Sequence, residues 1–282
     1  MLEMRSQPAQ SAPRDTTPLV EINNVAKTYE TVDGADVVAL EPTRLTVEEG
    51  EFVSIVGPSG CGKTTLLNLL GGLLEPSEGE ILFDGRPIRG PIRDIGMVFQ
   101  RPVLLPWRKV IDNVMLPVEV MKLPDAAASR QTALDLLKMV GLAGFERSYP
   151  KELSGGMQQR AAIARALVYD SRLLLMDEPF AALDAMTREE MNMELLRIWR
   201  ETGKAIVFVT HNIPEAALLS DRVVVMTPRP GKIREIIEVD LARPRSLSLM
   251  GDQRFGEIVD RIRSLLGLGD GDNPQPRGER SQ

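Results

Sequence analysis

Gly57-Pro58-Ser59-Gly60-Cys61-Gly62-Lys63-Thr64 fits the pattern G-x-x-x-x-G-K-[ST]. It lies between the apolar stretch LTVEEGEFVSIVG (45–57) and KTTLLNLLGGL (63–73), which reads as a helix ending at glycines. The glycines permit positive φ and close backbone approach. Successive N–H groups then form an anion cradle at a helix N-terminus. Lys63 sets a positive charge against β- and γ-phosphates, and Thr64 offers its hydroxyl to Mg2+. A Gly-rich strand–helix turn without a ligand is the plainer alternative. Cys61 sits inside the loop. A thiol near a helix N-terminus and a lysine has a lowered pKa. As a merely tolerated small residue it would face outward. In either case a thiol reagent there should compete with nucleotide.

Working outward, β and α signals alternate. VEINNVAKTY (20–29) and 45–57 read as strands around a Glu-Glu-Gly turn, and GEILFDG (79–85) and IGMVFQ (95–100) as short strands. Residues 111–148, Pro-broken and rich in Ala and Leu, read as a helical insertion. LLLMD (173–177) is a continuous apolar run, as in a parallel strand buried on both faces. REEMNMELLRIWRET (188–202) is helical, and AIVFVT (205–210) and DRVVVMT (221–227) are strands. The alternation predicts an α/β fold with a mainly parallel sheet.

The bulk numbers narrow the class. The chain has 282 residues, 43% hydrophobic and 26% charged, and a net charge of −6. That balance argues against a generic nucleic-acid binder. No apolar run approaches the roughly 18 residues of a membrane span. The N-terminus has no signal-peptide core, and one cysteine excludes an internal disulfide framework. A cytosolic setting follows, so any work across a membrane needs a membrane partner. Residues 1–18 and 267–282 are expected to be disordered tails.

LLLMDEP ends a buried strand in adjacent carboxylates. Asp177, at the strand tip, is placed to hold Mg2+ through water. Glu178 can accept a proton from an attacking water. The alternative is a strand end that simply reaches solvent. A second glycine-rich helix start, Ser154-Gly155-Gly156, opens MQQRAAIARAL (157–167). Each glycine costs about 1 kcal/mol against alanine inside a helix, so a bare backbone there points to a second phosphate contact.

With these elements in place, Leu153-Ser154-Gly155-Gly156-Met157 resembles the signature motif, usually LSGGQ, of ATP-binding cassette (ABC) ATPases. The resemblance covers roughly residues 19–240. It implies a P-loop NTPase (RecA-like) core, an N-terminal antiparallel β subdomain and an inserted helical subdomain at about 101–158, followed by a helical extension at 241–266. It implies ATP held by Tyr29, stacked on adenine, and by Gly57, Pro58, Ser59, Gly60, Cys61, Gly62, Lys63, Thr64 and Thr65. Gln100 resembles the Q-loop glutamine, which touches Mg2+ together with Thr64 and, through water, Asp177. Asp184 resembles the D-loop aspartate at a dimer interface. His211 resembles the switch histidine at the γ-phosphate. Glu178, His211, Lys63 and Gln100 are then the catalytic set. Ser154, Gly155, Gly156 and Met157 serve ATP on a second copy in a head-to-tail dimer. Met157 in place of Gln keeps the backbone N–H, and Asn212 stands where Asp commonly follows the histidine.

Lys63 and Leu153 are not separated by sustained heptads, as in chromosome-organising ABC proteins, and a single cassette is unlike the translation type. Transport is the reading favoured. RPVLLPWRKVIDNV (101–114), LSDRVVVMTPRPGKI (219–233) and ARPRS (242–246) are similar to importers of the nitrate, sulfonate and taurine class. In those proteins the first stretch lines the groove for the permease's coupling helix. Leu104-Leu105-Pro106-Trp107 is thus an exposed patch for a partner, or else core of the helical insertion. The resemblance implies transmembrane permease subunits, a periplasmic or lipid-anchored solute-binding protein, and a place on the cytoplasmic face of the inner membrane. A transporter for another small organic solute, such as a vitamin precursor, is the alternative. QRFGEIVDRIRSLLG (253–267) carries Phe255, Ile258, Val259, Ile262 and Leu266 on one helical face, which docks on the cassette, dimerises or binds a regulator.

Overall fold

The computed structural model describes residues 17–30 and 34–268. The tails expected at 1–18 and 267–282 lie almost entirely outside them. The chain opens with β1 (Val20–Glu30) and β2 (Asp36–Val47), then β3 (Phe52–Val56) and α1 (Lys63–Leu70). β4 (Glu78–Phe83), β5 (Arg86–Pro87) and β6 (Ile95–Val98) follow. Four helices come next: α2 (Val110–Val114), α3 (Leu116–Val120), α4 (Ala126–Met139) and α5 (Gly155–Leu167). Then strands and helices alternate: β7 (Leu173–Asp177), α6 (Ala185–Thr202), β8 (Ala205–Val209), α7 (Ile213–Leu219) and β9 (Arg222–Met226). β10 (Ile233–Glu238) and α8 (Gln253–Leu265) close the described chain.

The strands form two sheets. One is antiparallel in order β2-β1-β4-β5, and the other runs β10-β9-β3-β8-β7-β6. In the larger sheet β6, β7, β8, β3 and β9 are parallel, and only β10 pairs antiparallel. This is the α/β P-loop core with an antiparallel subdomain that the motifs imply. Every residue of β3, β7 and β8 is buried, which is why these strands read as unbroken apolar runs rather than alternations. Their side chains divide by parity. Val53, Ile55, Leu173, Leu175, Val207 and Val209 join α1 and the antiparallel sheet. Phe52, Val56, Leu174, Met176, Ile206 and Phe208 join the helices of the opposite layer. α1 is therefore sandwiched between two sheets.

The stretch 45–57 is broken at the expected Glu-Glu-Gly turn, where Gly50 has φ of +71°, and its two strands lie in different sheets. β2 also begins much earlier, at Asp36, across Glu41-Pro42. Proline is tolerated there because β2 is an edge strand. The helical insertion appears as α2, α3 and α4, with Pro117 in the first turn of α3, where its missing N–H costs nothing. β5, α7 and β10 were not foreseen. α8 buries Phe255, Val259 and Ile262 within the same core as α7 and α6.

Candidate functional site

Parallel pairing brings the motifs together. Ile55 pairs with Val209, and Val209 with Asp177. The residues just past these positions leave the C-terminal edge of the sheet side by side: Gly57 after β3, Thr210 and His211 after β8, and Glu178 after β7. β6 pairs with β7 through Val98 and Met176, so Gln100 leaves the same edge next to Asp177 and is exposed. Ligands of open parallel sheets bind in this crevice.

The loop Gly57–Lys63 closes onto α1. Gly60 and Gly62 have φ of +74° and +96°, conformations that a side chain resists. Gly62 caps α1 without any side-chain hydrogen bond, and the first turn holds no acid. Its leading N–H groups and its dipole are thus left for an anion. Lys63 is buried, and its Nζ donates to the carbonyls of Gly57 at 2.9 Å and Pro58 at 3.0 Å. Thr64 Oγ1 donates to Asp177 Oδ1 at 3.2 Å. Burial is the main influence on Asp177 and raises its carboxyl pKa; Glu178 adds to the rise, and Thr64 and Lys63 oppose it. Tyr29 lies at the rim, not in the core. Its hydroxyl is 3.4 Å from Thr65 Oγ1, and Lys27 Nζ sits 5.5 Å from its ring centre.

Cys61 departs from expectation. It is wholly buried rather than facing outward, and its thiol pKa is raised rather than lowered. Desolvation is the largest cause and outweighs the charge of Lys63. The packing behind the loop explains this. A Cβ on Gly57 would lie 2.7 Å from the Cys61 sulfur, and one on Gly231 would lie 1.9 Å from the Cys61 carbonyl oxygen. The thiol is therefore interior, and Gly231 is a backing residue that the motif pattern did not reveal.

Glu178 has φ of +44°, a left-handed conformation that costs a non-glycine residue of order 1 kcal/mol. Its N–H donates to Val209 O at 2.9 Å, and its Oε2 lies 3.0 Å from His211 Nδ1. Thr210, Asn212 and Glu215 surround His211 in a hydrogen-bonded clip that motif reading missed. The signal was present as Asn212-Ile213-Pro214-Glu215, a helix-start pattern with a capping residue, an early proline and an acid at the third position.

Ser154 caps α5, its Oγ accepting from Met157 N–H at 3.3 Å. The two glycines behind it differ. A Cβ on Gly155 would meet nothing within 4 Å, whereas one on Gly156 would lie 2.9 Å from Leu183 Cδ2. Gly156 is thus bare partly for packing inside this chain, and only Gly155 is open. Among the described residues no hydrogen bond joins Ser154–Met157 to the loop Gly57–Thr65. Asp184 caps α6 by accepting from Thr187 N–H at 3.1 Å. The Leu104–Trp107 patch is divided. Leu104 packs on the core, while Trp107 is 72% exposed, with Val103 and Pro106 exposed beside it.

The chain is similar to known proteins over most of its length. A family profile for ABC transporters matches residues 40–181. The chain is 51% identical over 247 residues to an uncharacterised ABC transporter ATP-binding protein of Methanocaldococcus jannaschii, covering 88% of this chain and 91% of that protein. It is 48% identical over 219 residues to the taurine import ATP-binding protein TauB of Yersinia pestis, covering 78% and 82%. The dimeric structure of MJ0796, a bacterial ABC transporter cassette, superimposes with a TM-score of 0.71 at 36% identity, over 79% of this chain and all of that one. The same cassette in a post-hydrolysis state, bound to ADP and Pi, gives 0.70. The chain thus belongs to the ABC transporter family as an ATP-binding subunit with ATPase activity.

Proposed function

We propose that this chain energises a bacterial importer of nitrate, sulfonate or taurine-like anions. The observation that carries this reading is its 48% identity with a taurine import ATP-binding protein. The ATPase does not touch the solute, so kinship is the only route from this sequence to the cargo. Among the described residues no helix is long and apolar enough to cross a membrane. By kinship with import ATP-binding proteins, the subunit works against permease subunits, at the cytoplasmic face of the inner membrane, with a solute-binding protein on the other side. Exposed Trp107, with Val103 and Pro106, suits a permease helix at this surface. The cassette is read as residues 19–240, with the helical part at about 101–158 and the extension at 241–266.

Two copies act head to tail. In each, the N–H groups of Gly57–Thr65 and the charge of Lys63 hold the phosphates, and Tyr29 stacks on the base. The open backbone at Gly155 and the cap at Ser154 face the γ-phosphate on the other copy. Glu178 takes the proton of the attacking water. His211, hydrogen-bonded to Glu178, and Lys63 stabilise the charge on the transferring group. A divalent cation fits beside them, because Asp177 is a buried carboxylate with a hydroxyl against it and surroundings that disfavour the bare anion. Thr64, Gln100 and, through water, Asp177 would hold Mg2+. When bound, the ion neutralises phosphate charge.

Uptake by cells carrying this transporter, wild type against Glu178→Gln, tests the reading. Labelled taurine, an alkanesulfonate and nitrate are offered in parallel. Loss of uptake of one anion in the variant supports importer and cargo together. No Glu178-dependent uptake of any of the three refutes the cargo class and moves the search to vitamin precursors.

A further inference from the structure

Glu215 belongs to none of the nucleotide motifs, yet it is the most buried carboxylate among the described residues, 3% exposed. Its Oε2 accepts from the Thr210 hydroxyl at 2.5 Å. The same hydroxyl oxygen accepts from Asn212 N–H at 3.0 Å, and Asn212 Oδ1 accepts from Glu215 N–H at 3.1 Å. The three bonds close a ring through Thr210 and Asn212, the two residues that flank His211. A capping acid ordinarily folds back to the backbone of its cap residue. Here the carboxyl turns inward instead.

His211 needs such a brace. Its side chain is 60% exposed, and its ring hydrogen-bonds to Glu178. Its position is therefore set by its backbone. The inner oxygen of Glu215, Oε1, and Oδ1 of Asn192 on α6 are both buried with no hydrogen-bond partner. Asn192 is among the groups acting on the Glu215 carboxyl, and a proton on that carboxyl, or the amide turned over, would join the two atoms. One turn away on α6, Arg188 donates to the carbonyls of Phe180 at 3.3 Å and Leu183 at 2.7 Å, on the loop that follows Glu178. Glu178, Arg188, His211 and Glu215 are the charged and titratable groups lining this cleft. α6 thus meets both the loop after Glu178 and the clip around His211.

We propose that Glu215 is a positioning residue for the switch histidine: its buried carboxyl fixes Thr210 and Asn212, ties them to Asn192 of α6, and so holds His211 against Glu178. The proposal rests on the reading of His211 as the group at the γ-phosphate. Burial raises the carboxyl pKa of Glu215, the largest influence on it, with Thr210, Arg188, Asn192 and His211 opposing. The neutral form of the side chain then meets the requirements of the clip. Glutamine meets them too, accepting from Thr210 and donating to Asn192.

The test is steady-state ATP hydrolysis by the purified full chain and its variants. Glu215→Gln should keep kcat within about threefold, since both hydrogen bonds are retained. Glu215→Ala should lower kcat roughly ten- to a hundredfold at unchanged KM for ATP, as a misplaced catalytic group does. Thr210→Val removes only the hydroxyl at the centre of the ring, and gives the same loss should Glu215→Ala not fold. In a His211→Ala background, removing Glu215 or the Thr210 hydroxyl should change kcat by less than about twofold, because the group they position is gone. A full additional loss in that background overturns the proposal, as does a glutamine variant as poor as alanine. Wild-type kcat in His211→Ala alone overturns instead the reading of the histidine.

Discussion

His211 Nδ1 lies 3.0 Å from Glu178 Oε2, and the contact joins the ends of two adjacent parallel strands. Nδ1–H donates to the carboxylate, so Nε2 is the ring nitrogen left to face a phosphate oxygen, to which it donates only when it also carries a proton. The left-handed backbone of Glu178 directs the carboxylate along the sheet edge toward the histidine. Strain of this kind persists where surrounding structure over-determines it, here through the bond from Glu178 N–H to Val209 O.

Glu178→Gln keeps size and polarity but removes the proton acceptor. It should bind ATP and hydrolyse it about a hundredfold more slowly or worse. The unspent nucleotide should hold two copies together. Phosphate release with light scattering in ATP checks both, and normal turnover would remove Glu178 from its role.

Asp177 sets stability against function. A carboxyl whose pKa is raised on folding favours its neutral form in the native state. Below its unfolded pKa both states are protonated and it contributes nothing. As pH rises above the unfolded pKa, the unfolded state ionises first and native stability falls, and the loss is complete once pH passes the folded pKa. Asp177→Asn should therefore melt higher than wild type at pH 7 without nucleotide, and the gain should vanish in acid. The same change should weaken metal-supported hydrolysis roughly ten- to a hundredfold. Melting curves across pH, set beside Mg2+ titrations of activity, test both halves.

The signature glycines can be separated. Gly155→Ala meets no atom and improves helix propensity, so nucleotide-free stability should hold or rise by up to about 1 kcal/mol. Its ATPase should nevertheless fall, because the added methyl stands where the other copy's phosphate approaches. Gly156→Ala pushes on Leu183 and should lose about 1 kcal/mol of stability as well. Unimpaired hydrolysis by Gly155→Ala would mean that this backbone contacts no nucleotide.

Cys61 should resist alkylation. Iodoacetamide at pH 8 should label it far more slowly in the folded protein than in guanidinium, since burial disfavours the thiolate. Bound ATP should slow it further by holding the loop closed. Labelling of the native protein at the unfolded rate would contradict the buried geometry.

The sequence by itself determined the chemistry of the site. Local patterns specify local backbone: glycines, Lys63 and Thr64 at an α1 start, four apolar residues before Asp177, and Ser154 opening α5. Each is contiguous, so each is legible without a fold. Tertiary structure decided what those groups face. The close packing around Cys61 depends on Gly57 and Gly231, the packing of Gly156 on Leu183, and the setting of His211 on Glu215 and α6. β5 and β10 were missed for a related reason: a two-residue strand carries no periodicity, and β10 is defined by its pairing with β9. Whether a side chain is solvated or buried, and hence which way its pKa moves, is fixed by residues far away in the chain, and no local pattern encodes their approach.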